Sequence, residues 1–226
     1  MPSPKPFDLP DRDAIRKHLR RDPVLRPLID QLDFPEERVQ LREVYPALLR
    51  SVVGQQVSTA AARAIYARFL GLFDLDQSDP LAVPLPEVLA KADLEFLRTA
   101  GLSRAKAAYV QATGRYFADN PAAADQLAAM SDEEAIAELV QIKGVGRWTA
   151  EMMLMFALGR PDLLPLDDLA IYQSIIALYD LPPDDPKRAL KVRMREIAEA
   201  WRPYRSWACL YLYAWRHSQR GVAQAL

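Results

Sequence analysis

The stretch that decides the fold runs from Ser131 to Arg160 and reads SDEEAIAELVQIKGVGRWTAEMMLMFALGR. Ser131 followed by Glu134 has the spacing of a capping box, which predicts the start of a helix. That helix ends near residues 142–146, where two glycines permit a positive φ and leave backbone N–H groups uncovered. The chain re-enters a helix at Arg147, so the stretch predicts two helices joined by a tight glycine turn.

The turn at residues 140–146, which we term the hairpin, leads into the N-terminus of a helix. Free amides at such a terminus form an anion site, so the hairpin can hold a DNA phosphate without side-chain specificity. A GxG motif by itself is more often a plain turn in which glycine caps the first helix. If the hairpin binds DNA, the contacts are expected from Gly144, Val145, Gly146, Arg147 and Thr149.

The rest of the chain is also patterned as helix. Residues 45–73, for example, carry apolar residues at spacings of three and four, and few segments alternate. Breaks that contain proline divide the chain into about ten helices. We therefore predict an all-α fold of two packed helical lobes, with the active site in the cleft between them. One lobe takes about residues 35–130, and the other takes 1–34 together with 131–226.

The composition of the 226 residues is that of an ordinary globular protein, with 50% apolar residues. No apolar run approaches the roughly 18 residues that a membrane span needs, so no membrane role is expected. The single cysteine, Cys209, cannot form an internal disulfide and is expected to be a core residue. His18 and His217 lie too far apart in sequence to suggest a metal site. These features favour a cytoplasmic protein.

Net charge argues weakly against a DNA partner. The formal charge of −1 is not the basic balance expected of a protein that neutralises phosphates. The distribution of charge is more favourable, because basic residues gather at 98–106, 143–147 and 187–205. Most of these charges could equally belong to solvated helix faces.

Residues 139–159, LVQIKGVGRWTAEMMLMFALG, resemble the second helix-hairpin-helix of the HhH-GPD family of DNA glycosylases. The resemblance covers about residues 20–219 and is nearest to the 3-methyladenine DNA glycosylase II type, which has a stretch similar to Trp201–Trp207. It implies a monomeric enzyme that flips out alkylated bases of the 3-methyladenine and 7-methylguanine type from duplex DNA and removes them, as the first step of base excision repair. That type also has an extra N-terminal mixed domain, which we do not expect in this chain.

The resemblance further implies a monovalent cation, Na+ or K+, at the hairpin. Its ligands would be the backbone carbonyls of Val140, Ile142 and Val145. No other cofactor is expected, and a single cysteine is too few for the iron–sulfur cluster that some relatives hold.

The position of Trp148 bears on the type of reaction. Relatives with lyase activity have a nucleophilic lysine two residues after the second glycine of the hairpin, where this chain has Trp148. Tryptophan cannot form a Schiff base with the sugar. We therefore expect a monofunctional glycosylase without AP-lyase activity.

The resemblance assigns the catalytic carboxylate to Asp168, about twenty residues after the hairpin in the segment LPLDDLAI. Asp168 and Ile171 match the family pattern Asp-x-x-Ile, and Asp167 is the alternative. Breaking an N-glycosidic bond builds positive charge on the sugar, which a fixed anion stabilises while it orients or deprotonates water. An aspartate at a helix start is also a favourable N-cap, which alone would explain its presence.

The base pocket is expected to be formed by Trp148, Met152, Leu169 and Tyr213. Aromatic faces attract cationic bases through cation–π contact. Large apolar residues at helical spacing are often simply core, and this alternative is strongest for Tyr213. The nearest family type has aromatic residues in place of Met152 and Leu169, so the pocket is expected to be less aromatic and more open.

A flipped base leaves a gap in the duplex, which a side chain of the enzyme must fill. Residues 51–58, SVVGQQVS, resemble the family loop that enters the base stack, with Gln56 or, as the alternative, Gln55 at its tip. The other interpretation is a polar helix surface beside a glycine. A second wedge is expected at Leu102, with Ser103 as the cap of the next helix.

Three other functions stay open from the sequence. Helix-hairpin-helix elements often only hold the DNA backbone, so the chain could be a non-catalytic module that binds damaged DNA. It could also be a bifunctional glycosylase and lyase, or a structural helical adaptor.

Overall fold

The structure is a computed structural model that describes residues 11–35, 43–79 and 81–223. These residues form thirteen α-helices and no strand, which confirms the all-α prediction. The helices are α1 (Arg12–Leu19), α2 (Arg26–Gln31), α3 (Val44–Gly54), α4 (Thr59–Gly71), α5 (Pro86–Lys91), α6 (Leu94–Arg98), α7 (Arg104–Asp119), α8 (Ala123–Ala129), α9 (Asp132–Leu139), α10 (Arg147–Phe156), α11 (Leu169–Leu178), α12 (Lys187–Glu199) and α13 (Arg205–Ala223). None of these described helices is both long and apolar enough to cross a membrane.

The helices group into two compact units. Unit 1 takes its described residues from Met1–Gln40 and Gly159–Leu226, and unit 2 takes them from Leu41–Leu158. The sequence prediction had assigned all of 131–226 to the lobe of the chain termini. The structure corrects this boundary, because α10 packs against α9 and α3 and so joins the hairpin to unit 2.

Unit 2 is organised around α7, which packs against α3, α5 and α6. Its buried core includes Leu48 and Leu49 from α3 and Phe69 from α4. Where α7 crosses α5, a Cβ atom on Gly114 would lie 2.8 Å from the Cβ atom of Leu89. Glycine at this position therefore permits the close approach of the two helices, since a side chain would force them apart.

Asp22, in the turn between α1 and α2, connects separate parts of unit 1. Its Oδ1 atom accepts hydrogen bonds from the backbone N–H groups of Val24 (2.8 Å) and Leu25 (3.2 Å). Its Oδ2 atom accepts from the hydroxyl of Tyr179 (2.6 Å) and from Nε1 of Trp201 (2.9 Å). Because Trp201 is fully buried, the carboxylate supplies the acceptor that its indole N–H needs. Burial, and then the bond to Asp22, raise the pKa of Tyr179 and keep its phenol a donor.

The C-terminal motif WRPYRSW fixes the loop that precedes α11. Arg202 and Arg205 both donate to the carboxylate of Asp162, at 2.6 and 2.8 Å. The hydroxyl of Ser206 accepts a hydrogen bond from the backbone N–H of Leu163 at 2.9 Å. Charge-assisted bonds from two guanidinium groups hold a loop more firmly than neutral contacts do. The motif therefore has a structural role, which is to position the segment that leads to the start of α11.

Replacing Asp22 by alanine should lower the free energy of unfolding by about 2–4 kcal/mol, because it removes the acceptor of the buried indole N–H of Trp201 and of the partly buried hydroxyl of Tyr179. Urea unfolding followed by circular dichroism measures the difference. Asp30→Ala is the matched control, since Asp30 pairs with Arg20 at 3.1 Å on the surface and its loss should cost less than about 1 kcal/mol. Equal losses in the two variants would contradict the role assigned to Asp22.

Candidate active site

The hairpin begins and ends as its sequence predicts. α9 starts with a capping box, in which Ser131 and Glu134 each accept a hydrogen bond from the backbone N–H of the other. In the turn, the backbone N–H of Val145 donates to the carbonyl of Ile142 at 2.9 Å, and both side chains are buried. These two apolar side chains anchor the turn in unit 2.

Gly144 must be glycine for two independent reasons. Its φ is +93°, in the left-handed region that disfavours residues with a Cβ atom. A Cβ atom would also lie 2.2 Å from Cγ of Tyr109 in α7. The hairpin backbone therefore lies directly against the ring of Tyr109. Tyr109 was not among the predicted site residues, because it lies in another helix and carries no local sequence signal for this contact.

The start of α10 offers backbone amides rather than a cationic side chain. Gly146 caps the helix without a side-chain hydrogen bond. Arg147, which was expected to contact DNA, binds Glu133 at 2.7 and 3.0 Å and Glu151 at 3.0 Å. The hydrogen bonds between Arg147 and Glu133 lower the pKa of Glu133 and raise that of Arg147. With its guanidinium engaged in this way, the part of the hairpin suited to a phosphate is its backbone.

The two glutamines of the tip loop, residues 54–58, differ in their surroundings. Gln55 directs Nε2 to the carbonyl of Gly144 (3.1 Å) and to Oγ1 of Thr149 (3.3 Å). Gln56 is exposed and has a φ of 56°. That Gln56 is the tip stays a prediction, with which its exposure agrees, and Gln55 is a brace between the tip loop and the hairpin. Thr149 is buried and belongs to this brace.

The structure does not support the second expected wedge. Leu102 is only 4% exposed and belongs to the core of unit 2. A packed core side chain cannot enter a base stack without leaving its contacts, so we correct the prediction for Leu102. Ser103 caps α7 as expected, by accepting from the backbone N–H of Lys106 at 3.2 Å. Lys106 itself donates to the carbonyl of Val53 at 2.9 Å, and burial lowers its pKa.

An open groove of about 690 Å³ in unit 2 brings part of the predicted site together. Trp148 lines this groove with 40% of its surface exposed. Met152 is buried and packs as a core residue. Arg50 was not predicted, although it lines the groove with its guanidinium 4.4 Å from the ring of Tyr66. The other lining residues are Ser51, Gly54, Gln55, Gln56, Val57, Gly146 and Thr149.

Asp168 is the N-cap of α11 in unit 1. Its Oδ1 atom accepts hydrogen bonds from the backbone N–H groups of Ala170 (2.9 Å) and Ile171 (3.0 Å). The residue is only 8% exposed. The helix dipole favours an anion at this end, and the two amides fix the direction of the carboxylate. Asp168 is therefore a buried and oriented carboxylate.

The neighbours of Asp168 separate the predicted alternatives. Asp167 pairs with Lys191 of α12, and its side chain is 54% exposed. Of the two adjacent aspartates, Asp168 is thus the buried one. Leu169 is 66% exposed, so it is available to a ligand, whereas Tyr213 is half-buried in α13.

The described residues differ in what they offer to a metal ion. Their side chains contain no group of three His, Cys, Asp or Glu residues that could hold one. The hairpin carbonyls of Val140, Ile142 and Val145 are oxygen donors of the kind that hold monovalent cations. The carbonyl of Ile142 accepts from Val145, and since a carbonyl has two lone pairs it keeps the capacity to bind an ion.

Comparison with known families identifies the class of protein. The HhH-GPD superfamily of base excision DNA repair proteins matches residues 49–203. This span contains the tip loop, the hairpin and Asp168. The chain belongs to this superfamily.

The chain is similar to several individual proteins. It is 35% identical over 170 residues to the Bacillus subtilis protein YfjP, provisionally named a DNA-3-methyladenine glycosylase, and this match covers 75% of the chain but 58% of that protein. It is 35% identical over 183 residues to DNA-3-methyladenine glycosylase 1 of Schizosaccharomyces pombe, which covers 79% of the chain and 75% of that protein. A solved structure of the S. pombe 3-methyladenine DNA glycosylase with abasic DNA has a TM-score of 0.72 at 30% identity and covers 88% and 95% of the two chains.

Gly144→Ala should destabilise the protein by about 2–4 kcal/mol, because it adds an unfavourable φ to a steric overlap with Tyr109. Thermal unfolding measures the change. Gly146→Ala is the matched control, since it adds the same methyl group where no neighbouring atom lies within 4 Å and φ is −92°. It should cost about 1 kcal/mol or less. Similar losses in both variants would contradict the contact between the hairpin and Tyr109.

Proposed function

We propose that this protein is a monofunctional DNA glycosylase, which flips alkylated bases out of duplex DNA and hydrolyses their N-glycosidic bond. Asp168 is the catalytic carboxylate. The observation that carries the proposal is a buried aspartate whose Oδ1 is held by two backbone amides at the start of α11, in a chain of the base excision repair superfamily. The relatives named DNA-3-methyladenine glycosylase support an alkylated purine as the substrate.

The reaction requires an oriented anion beside the sugar. As the C1′–N bond breaks, its electron pair goes to the base and positive charge develops on the sugar. The carboxylate of Asp168 stabilises this charge and orients the water that attacks C1′. The water oxygen bonds to C1′ and releases a proton, so the products are a free base and an abasic site. An alkylated purine that already carries positive charge leaves as a neutral base, so a second, strongly shifted acid is not required.

The hairpin and the tip loop bind the DNA around the lesion. The amides at the start of α10, with no side-chain cap on Gly146, serve a phosphate. Gln56, which is exposed at the tip, fills the gap left by the flipped base. Gln55 supports both elements through its bonds to Gly144 and Thr149.

The base is recognised mainly by shape and by an aromatic face. Trp148 is exposed in the groove, and stacking of a cationic base on its indole is worth about 0.5–2 kcal/mol. Similar enzymes of the glycosylase II type have aromatic residues where this chain has Met152, which is buried, and Leu169, which is exposed. We expect a broad preference among alkylated purines rather than a single preferred lesion.

The only cofactor in the proposed enzyme is a monovalent cation at the hairpin. The hairpin carbonyls of Val140, Ile142 and Val145 would hold Na+ or K+, whose positive charge adds to the attraction of the hairpin for a phosphate. Trp148 stands where a lyase has its nucleophilic lysine, so the enzyme leaves the abasic strand intact.

Asp168→Asn should lower the rate of base release from methylated duplex DNA by at least about 100-fold, because the fixed negative charge is lost. Asparagine caps a helix as well as aspartate does, so the variant should fold. Asp167→Asn is the matched control, with the same change one residue earlier, and should retain nearly all activity. The measurement is single-turnover release of free base, with thermal unfolding of each variant as the check on folding.

Two outcomes of that experiment would overturn the proposal. Full activity in Asp168→Asn would exclude its catalytic role. Tight binding of lesion DNA by the wild-type protein without release of any base would favour a damage-binding module instead.

The product distinguishes a hydrolase from a lyase. A duplex with one 3-methyladenine analogue or hypoxanthine should yield a strand that breaks only after treatment with alkali. Borohydride added during the reaction should trap no covalent complex, because no Schiff base forms. A bifunctional glycosylase treated in parallel serves as the positive control for trapping. A trapped complex with this protein would contradict the assignment.

A further inference from the structure

The charge on α12 differs in sign from that of the whole chain. The helix Lys187–Glu199, KRALKVRMREIAE, carries five cations and two carboxylates, whereas the formal charge of the chain is −1. Its apolar side faces the core through Leu190 and Met194, which are buried. The cations therefore lie on the remaining surface of the helix. Four of them are exposed, and Lys191 is partly exposed.

Three of these cations share one flank of α12. Arg188, Lys191 and Arg195 are separated by three and four residues, so they lie within a sector of roughly 60° around the helix axis. Their Cα atoms span about 10.5 Å along the axis, which is about three times the 3.4 Å rise between successive phosphates of one DNA strand. We term these three residues the basic flank.

The other two cations of α12 are engaged differently. Arg193 lies on another side of the helix and pairs with Asp185 at 2.8 Å. Lys187 lies over the ring of Tyr172, with Nζ 5.7 Å from its centre. Among the described residues, the basic flank has one ion pair, between Lys191 and Asp167. The flank therefore carries an excess of positive charge.

The ion pair between Lys191 and Asp167 shows that the basic flank lies near the start of α11. Asp167 is the residue before Asp168, so Lys191 reaches the immediate surroundings of the carboxylate proposed to act on the sugar. The phosphates on either side of a flipped nucleotide are covalently part of the same unit as its C1′ atom. Because Lys191 pairs with the residue that precedes Asp168, we expect a phosphate next to a nucleotide whose sugar contacts Asp168 to lie near Lys191, and the following phosphates to continue along the flank.

We infer that the basic flank, Arg188, Lys191 and Arg195, is a second phosphate-binding surface, which holds the DNA backbone beside the nucleotide bound at Asp168. The inference rests on the proposed function in so far as its ligand is DNA. It assigns unit 1 a backbone contact of its own, made by side-chain cations, whereas the hairpin of unit 2 presents amides.

The test is the salt dependence of binding to undamaged duplex DNA, measured by fluorescence anisotropy. Each lost phosphate contact makes the slope of log Kobs against log salt less steep by about 0.9. The triple variant Arg188→Gln, Lys191→Gln, Arg195→Gln should therefore have a slope less steep by about 2–3 and weaker binding by about 10- to 100-fold at 0.1 M salt. Thermal unfolding of the variant is the check on folding, because Lys191 is only partly exposed and pairs with Asp167.

A charge-matched control separates a local surface from a general change in charge. Arg20→Gln, Arg26→Gln and Arg193→Gln remove three cations from other exposed positions of unit 1. This variant should keep the wild-type slope to within about one contact. An unchanged slope in the basic-flank variant, or an equal change in both variants, would overturn the inference.

The same preparations distinguish this inference from the proposed function. One outcome is that the salt dependence of the basic-flank variant is less steep while the wild-type protein releases no base. The phosphate-binding surface is then supported and the glycosylase proposal fails. If the wild-type protein releases base and the slope of the variant is unchanged, the glycosylase proposal stands and the surface is excluded.

Discussion

The pair of hydrogen bonds from the amides of Ala170 and Ile171 to Asp168 is the constraint on which the candidate site depends. A carboxylate that is free to rotate would have to be ordered during the reaction, at a cost in entropy. Here the start of a helix orders it in advance. The same bonds satisfy orphan amides of α11, so the contact that stabilises the helix also orients the carboxylate that we propose as the catalyst. The motif WRPYRSW also holds the loop that leads to α11, through the bonds of its arginines to Asp162.

The two phosphate-binding surfaces that we propose differ physically. At the hairpin, carboxylates bind Arg147, so the proposed attraction comes from the backbone dipoles at the start of α10 and from a cation held by the hairpin carbonyls. On α12 the attraction comes from whole charges on long side chains. A protein built in this way does not need a basic composition. A net charge of −1 is compatible with a DNA-binding surface when the cations are concentrated where the backbone lies.

The features that the sequence predicted well are those with local causes. The capping box at Ser131, the glycine turn at Gly144 and the N-cap at Asp168 all depend on residues within a few positions of one another. The features it missed depend on distant contacts. Neither the ring of Tyr109 beneath the hairpin nor the burial of Leu102 leaves a local pattern. The predicted boundary between the units was also wrong, because the boundary follows from the packing of α10 rather than from a break in the chain.

The brace formed by Gln55 has a consequence for how the protein could examine DNA. One amide nitrogen bonds both the hairpin carbonyl of Gly144 and the hydroxyl of Thr149, directly before the exposed residue Gln56. The element that we propose to hold the backbone and the element that we propose to enter the base stack are thus joined by hydrogen bonds of one side chain. In the proposed enzyme, binding of the strand at the hairpin and insertion of Gln56 into the base stack are then linked through one side chain.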